Sequence, residues 1–166
     1  MFAVTAVLWW DDLKKAQAEY PKYKINPYIV LFNHVMASAV IHVMRLNLTE
    51  QIDFVFDDQG RHGDMAQESY RIAQRAIPQE MFEYVAGPPS HKCDRVVLPL
   101  QAADMFAWQA RRFCSENEKS GTRYEDYTFS PVMNILNDIP MEQSNLHIKK
   151  LRSFFAGLKE KYPDGF

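Results

Sequence analysis

The sequence predicts an α/β domain, and three observations carry that expectation. Two short runs rich in Val, Thr and aromatic residues, residues 2–10 and 52–56, lack helical period and have the composition of strands near a sheet centre. Two longer stretches, residues 28–46 and 98–113, show the apolar periodicity of substantial helices. Strand and helix patterns alternate along the chain, which is the order of an α/β fold. With 166 residues and 47% hydrophobic content, the chain suits one compact domain rather than two.

Residues 2–10 form the first expected strand. Residues 16–27 follow as a connecting loop, because Pro21 and Pro27 punctuate them and a proline restricts the residue before it. Pro27 suits the first turn of the next helix, residues 28–46. That helix is apolar over most of its surface, with His34, Ser38 and Arg45 on one narrow polar stripe. It is long enough to consider as a membrane span, but Asn33, His34, Ser38 and His42 interrupt it, and a buried helix is the better reading.

The run 52–56, IDFVF, empties into Asp57-Asp58-Gln59-Gly60, the pattern of a central strand opening into a loop at its carboxyl end. Residues 64–76 have helical composition, with Met65, Ile72 and Ala76 to pack and Pro78 to stop them. Residues 82–85 read as a strand and 87–97 as a loop, by the cluster Gly87-Pro88-Pro89-Ser90. Pro99 fits the first turn of the helix 98–113. Polar residues follow Cys114, then a helical tail from about residue 131, in which Ile148, Leu151, Phe154, Phe155 and Leu158 recur at helical intervals. The expected organisation is an α/β domain over 1–116 and a polar linker with a packed helical extension over 117–166.

Composition excludes several classes of function. Nineteen Lys and Arg against 21 Asp and Glu give a net charge of −2, so nucleic-acid binding would have to be local rather than driven by a basic surface. Cys93 and Cys114 lie far apart without a CxxC pair, which excludes a four-cysteine zinc module and a dense disulfide framework and fits a reducing cytoplasm. The N-terminus has neither a basic n-region nor a small-residue cleavage site, so no secretory leader is expected. The five histidines form no HExxH, and no P-loop, GxGxxG or GxSxG is present.

The residues that remain are acidic and few. Asp57 ends an apolar strand, where a carboxylate must be solvated, hydrogen-bonded or facing a cation; the plain alternative is a turn cap. Asp104 sits in the apolar helix, either salt-bridged to Arg111 or Arg112 or aimed at a site shared with Asp57. Two carboxylates meeting at one edge are the ligands hard cations such as Mg²⁺ or Mn²⁺ take, and phosphoryl transfer is a chemistry they support. His62 and His91 lie in loops where each could contact phosphate or shuttle a proton, or be an ordinary surface residue. Cys93, beside His91 and Lys92, has the neighbours of a low-pKa thiol but none of the rest of a cysteine nucleophile site.

Read in order, NPY opening the buried helix, IDFVFDDQG, and LPLQAADMFAW resemble the domain-of-unknown-function family 3800, whose members resemble ribonuclease H-like and integrase-like nucleases. The resemblance covers residues 2–113; the LQ-x-AD-x-x-A helix is its most specific piece and the FDD strand end its second. It implies a ribonuclease H-like mixed sheet flanked by helices, with acidic residues at one edge binding Mg²⁺ or Mn²⁺. Asp57 and Asp104 map to the family's strand-end and late-helix carboxylates, and Lys92 falls where the family has a Ser-Lys or Asp-Lys pair. The family's opening Asp-Glu-Ser-Gly strand does not precede Phe2, so the expected fold is N-terminally truncated, and Asp11 and Asp12 do not take over its role.

The resemblance therefore points to a metal-dependent nuclease or phosphodiesterase acting on nucleic acid. Asp57 and Asp104 are its expected metal ligands and catalytic carboxylates, His62 a catalytic partner, and Lys92, His91 and Gln101 substrate contacts. The alternative is a non-catalytic binding or accessory protein of a mobile element or defence locus, using the same fold as an interaction platform. No membrane partner is expected. A homodimer is, through an exposed sheet edge or the C-terminal helix.

Overall fold

Side chains that pack on two sides of one central helix organise this chain. The computed structural model describes residues 3–57, 63–93, 95–119 and 141–165. In chain order it contains β1 (Ala3–Leu8), α1 (Trp10–Glu19), α2 (Pro27–Arg45), β2 (Val55–Asp57), α3 (Gly63–Ala76), α4 (Gln79–Phe82), β3 (Ser90–Lys92), α5 (Leu98–Lys119), β4 (Met141–Leu146) and α6 (Ile148–Lys161). The architecture is mixed α/β, dominated by helix, with a few short parallel strands.

α2 begins where the sequence directs. Asn26 caps it, its Oδ1 accepting from Tyr28 N at 2.9 Å, and Pro27 takes the first turn, where a missing N–H costs nothing. It ends at Arg45, and Asn47 adopts φ 54°, a left-handed conformation asparagine tolerates better than most residues. Ile29 and Val30 join a first core with Leu13, Tyr23, Ile25, Leu146, Leu151, Phe155 and Leu158. Phe32, Met36 and Val40 join a second with Ala73, Phe82 and Val85. A helix that feeds two cores must be apolar nearly all round, which explains why Pro27–Arg45 is also long and apolar enough to cross a membrane by length and composition.

On the second core, α3 packs against α2 and buries Ala66, Ser69 and Ala73, small residues at helical spacing, of which Ala73 joins Phe32, Met36 and Val40. The Ser69 hydroxyl donates to the Met65 carbonyl at 2.6 Å and so is not left unsatisfied. The expected strand 82–85 is instead the end of α4 and a turn, from which only Val85 bridges in parallel to Ile52. The loop expected at 87–97 contains β3, a strand of three residues, SHK, whose outer two are exposed and whose composition gave no strand signal.

One mixed sheet is expected, and here the structure differs. Among the described residues there are two separate two-stranded sheets, β1 with β4 and β2 with β3, both parallel. β1 and β4 contribute Leu8 and Leu146 to the first core, whereas Phe54 and Phe56 of the β2 segment pack on the second. Each strand pair thus serves its own core, with α2 common to both. A ribonuclease H-like sheet is not shown.

The N-terminal and C-terminal segments form one unit. α1 spans Trp10–Glu19, where no helix is expected: it takes the last residue of the expected strand and the first four of the loop expected over 16–27, and it stops ahead of Pro21. The expected helical tail contains β4, which pairs along its six residues with β1, from Ala3 with Met141 to Leu8 with Leu146. Residues on both sides of the expected boundary at 116 therefore share a core. α6 buries Leu151, Phe155 and Leu158 within it, so the apolar face expected as one route to a dimer is already occupied within the chain.

Asp12 joins these segments. Its Oδ2 accepts from Ile148 N at 3.0 Å, supplying a cap to the start of α6 from 136 residues away in sequence. At the other end of α1, Arg152 makes two hydrogen bonds to Glu19, and the guanidinium holds the Glu19 carboxyl below its ordinary range. That pair favours the folded state above the ordinary carboxylate pKa and is lost as pH falls, but its solvent exposure leaves it a minor contributor. Asp12→Ala is the larger change: it leaves a half-buried N–H unpaired and is expected to cost about 1–2 kcal/mol in urea unfolding. Asp12→Asn, which keeps an acceptor, is expected to cost less; equal losses would show that the cap contributes nothing.

Candidate functional site

The run 52–56 extends beside residues 84–92 and ends on a carboxylate. Ile52 bridges to Val85 and Val55 pairs with Ser90, three steps on one side against five on the other. The two extra residues fall at Ala86-Gly87-Pro88-Pro89, a bulge in the second segment. Its effect is to bring Phe56 opposite His91 and Asp57 opposite Lys92. Because the strands run parallel, both carboxyl ends open at one edge, the edge at which open α/β sheets bind ligands.

His91 adds a second link to this edge. Its Nδ1 lies 3.3 Å from the Asp57 carbonyl oxygen. A carbonyl only accepts, so the hydrogen bond places a proton on Nδ1 and, in a neutral ring, leaves the Nε2 lone pair open. Nε2 is buried and has no hydrogen-bond partner among the described residues. The ring sits 6.2 Å from Phe56, which stacks at 5.3 Å on Phe32 of α2. The second core thereby fixes the imidazole from below.

The remaining expected residues stand as follows. α5 packs against β2 and carries Gln101 and Asp104, both solvent-exposed. No hydrogen bond or ion pair to Asp104 is present among the described residues, so the alternative salt bridge with Arg111 or Arg112 is not formed. Arg112 instead binds Glu116, Nε to Oε1 at 2.8 Å. Helix geometry explains the choice, since eight residues separate Asp104 from Arg112 by about 12 Å along the axis whereas Glu116 lies one turn away. His62 and Asp58 lie outside the described residues.

The structure therefore brings Asp57, His91 and Lys92 together at one edge and places Asp104 and Gln101 on the helix that packs on β2. Among the described residues no three His, Cys, Asp or Glu side chains converge as a metal cluster. Cys93 follows β3 and is exposed; Cys114 is buried in α5, where desolvation and the nearby Glu118 push its thiol up, away from nucleophile chemistry. Sequence reasoning did not anticipate the His91 tie to the Asp57 backbone. No signal in the sequence points to it, because SHK lacks the composition of a strand.

α5 is largely exposed: Ala110 and Cys114 are its buried residues, while Leu98, Met105 and Trp108 are exposed. No protein-family model, curated protein or solved structure matches this chain.

Proposed function

We propose that this chain carries a ribonuclease H-like, divalent-cation-dependent phosphodiester-hydrolysing site at the carboxyl edge of β2 and β3. The observation that carries the reading is the pairing of Asp57 with Lys92 at the last register position, with His91 anchored on the Asp57 carbonyl. The ordered resemblance of IDFVFDDQG and LPLQAADMFAW to the domain-of-unknown-function family 3800 adds support from sequence. The donor set fits the cation: two carboxylates, Asp57 and Asp104, leave coordination positions for water and for phosphate oxygens, as Mg²⁺ and Mn²⁺ require. When bound, the cation supplies Lewis-acid stabilisation and a more acidic water.

The chain's own groups divide the rest of the work. Lys92 places a compact positive charge against a phosphate. His91, tied through Nδ1 to the Asp57 carbonyl, is held at the end of β2 before substrate arrives and contributes a substrate contact there. Gln101, one turn before Asp104, supplies amide donors to the substrate backbone, and His62 acts as the proton-transfer group.

The test is direct. The full chain, given Mn²⁺ and single- or double-stranded DNA or RNA oligonucleotides, is expected to cleave at least one of them, to stop on chelation and to resume on adding Mn²⁺ back. Millimolar Mn²⁺ is also expected to raise the unfolding midpoint, since a ligand of the folded state stabilises it. No cleavage together with an unmoved midpoint would overturn the reading. The second reading, a non-catalytic accessory protein, would then stand; the lack of a three-donor cluster among the described residues and the exposed apolar face of α5 favour it.

A further inference from the structure

α5 has two apolar sides and buries only one. Ala110 and Cys114 face inward, while Leu98, Met105 and Trp108 point away at 70%, 66% and 56% exposure. Residues 98, 101, 105, 108 and 112 follow one another at alternating steps of three and four, the seam spacing of paired helices. We infer that this seam pairs with the same seam of a second copy, the two helices running antiparallel about a two-fold axis between Met105 and Trp108.

Charge selects both the occupant and the direction. Asp104 and Arg111 lie seven residues apart on one flank of the seam. In the antiparallel arrangement Asp104 faces Arg111 of the second copy, and the two-fold axis repeats that pair on the other side. Gln101 then meets Arg112 across the seam. A parallel arrangement would set Arg112 against Arg112 in the interior, like charges in a desolvating contact.

At the centre each Trp108 lies over Met105 of the other chain, a sulfur–aromatic contact between residue types enriched in interface cores. The rim is prearranged: the Arg112 guanidinium already sits 5.6 Å from its own Trp108 ring and is held there by Glu116. Five residues a side cover roughly half of the ~800 Å² per partner of a standard interface, so association is concentration-dependent rather than permanent. The inference does not rest on the proposed hydrolysis, although both draw on Asp104 and Gln101; its readout is mass rather than activity, so the failure of one is distinguishable from the failure of the other.

Sedimentation equilibrium of the full chain tests it. The weight-average mass is expected to rise with protein concentration from 19.4 kDa toward twice that value. Trp108→Glu, at an exposed position where folding is not at stake, is expected to raise the dimer dissociation constant at least about 30-fold. Arg111→Glu is expected to weaken association about tenfold, and adding Asp104→Arg to it to restore the dimer, a rescue that only a facing pair produces. A mass fixed at 19.4 kDa at every concentration, or an oligomer indifferent to Trp108→Glu, would overturn the inference.

Discussion

Phe155→Ala is expected to lower the free energy of unfolding by about 3–5 kcal/mol and the thermal midpoint by roughly 8–16 °C. Phe155 is fully buried at the middle of α6. It stacks on Tyr20 with ring centroids 5.6 Å apart and meets Phe154 edge-on at 5.6 Å. Its neighbours Leu13 and Ala16 come from α1, and Leu151 and Leu158 from α6 itself, so removing the ring opens a void between elements that lie more than a hundred residues apart. The loss is a large share of the ~5–15 kcal/mol that holds a domain together. Phe154→Ala, at a half-buried neighbour, is the matched comparison and is expected to cost less. Urea unfolding of both variants checks the point, and a Phe155 cost under about 1 kcal/mol would remove α6 from the core.

The parts of the fold legible in the sequence are those that local chemistry decides. α2 and α3 stand within a residue or two of their expected spans, because Asn26 and Pro27 begin one and Pro78 closely follows the other. β1 reads from its own composition, and the end of β2 at Asp57 from the change from IDFVF to an acidic turn. β4 was not legible: MEQSNL is mostly polar, and what makes it a strand is the backbone of β1, 138 residues away at each paired position. The same holds for β3, three residues whose partner lies across a whole helical crossover. The division into two sheets was hidden for a related reason, since periodicity records that α2 is apolar all round but not that its two flanks serve different cores.

The candidate site divides along the same line. Asp57 was visible because a carboxylate closing an apolar run has few inexpensive explanations. Its neighbours were visible only as residue types: Lys92 and His91 read as loop residues until the bulge at 86–89 sets the register that brings them to Asp57. α5 was legible as a helix but its exposure was not. LPLQAADMFAW is apolar on several sides, and hydropathy does not say whether the covering surface belongs to the same chain.

Asp57→Asn separates the proposed catalytic role from a structural one. The amide keeps the size of the side chain and leaves intact the backbone carbonyl that receives His91, so the variant is expected to fold. What the change removes is a negative oxygen ligand. Cation stabilisation of a phosphoryl transition state is worth several kcal/mol, so kcat/KM for Mn²⁺-dependent cleavage is expected to fall about a thousandfold. Undiminished cleavage by a stably folded Asp57→Asn protein would eliminate the proposed site. Asp104→Asn completes the argument, because groups that hold one cation do not lose activity additively. If both act in one site, the double variant is expected to be little worse than either single change. If Asp104→Asn instead cleaves at the parent rate but weakens self-association, Asp104 belongs to the outward seam of α5 alone, and the cation must draw its second carboxylate from elsewhere in the chain.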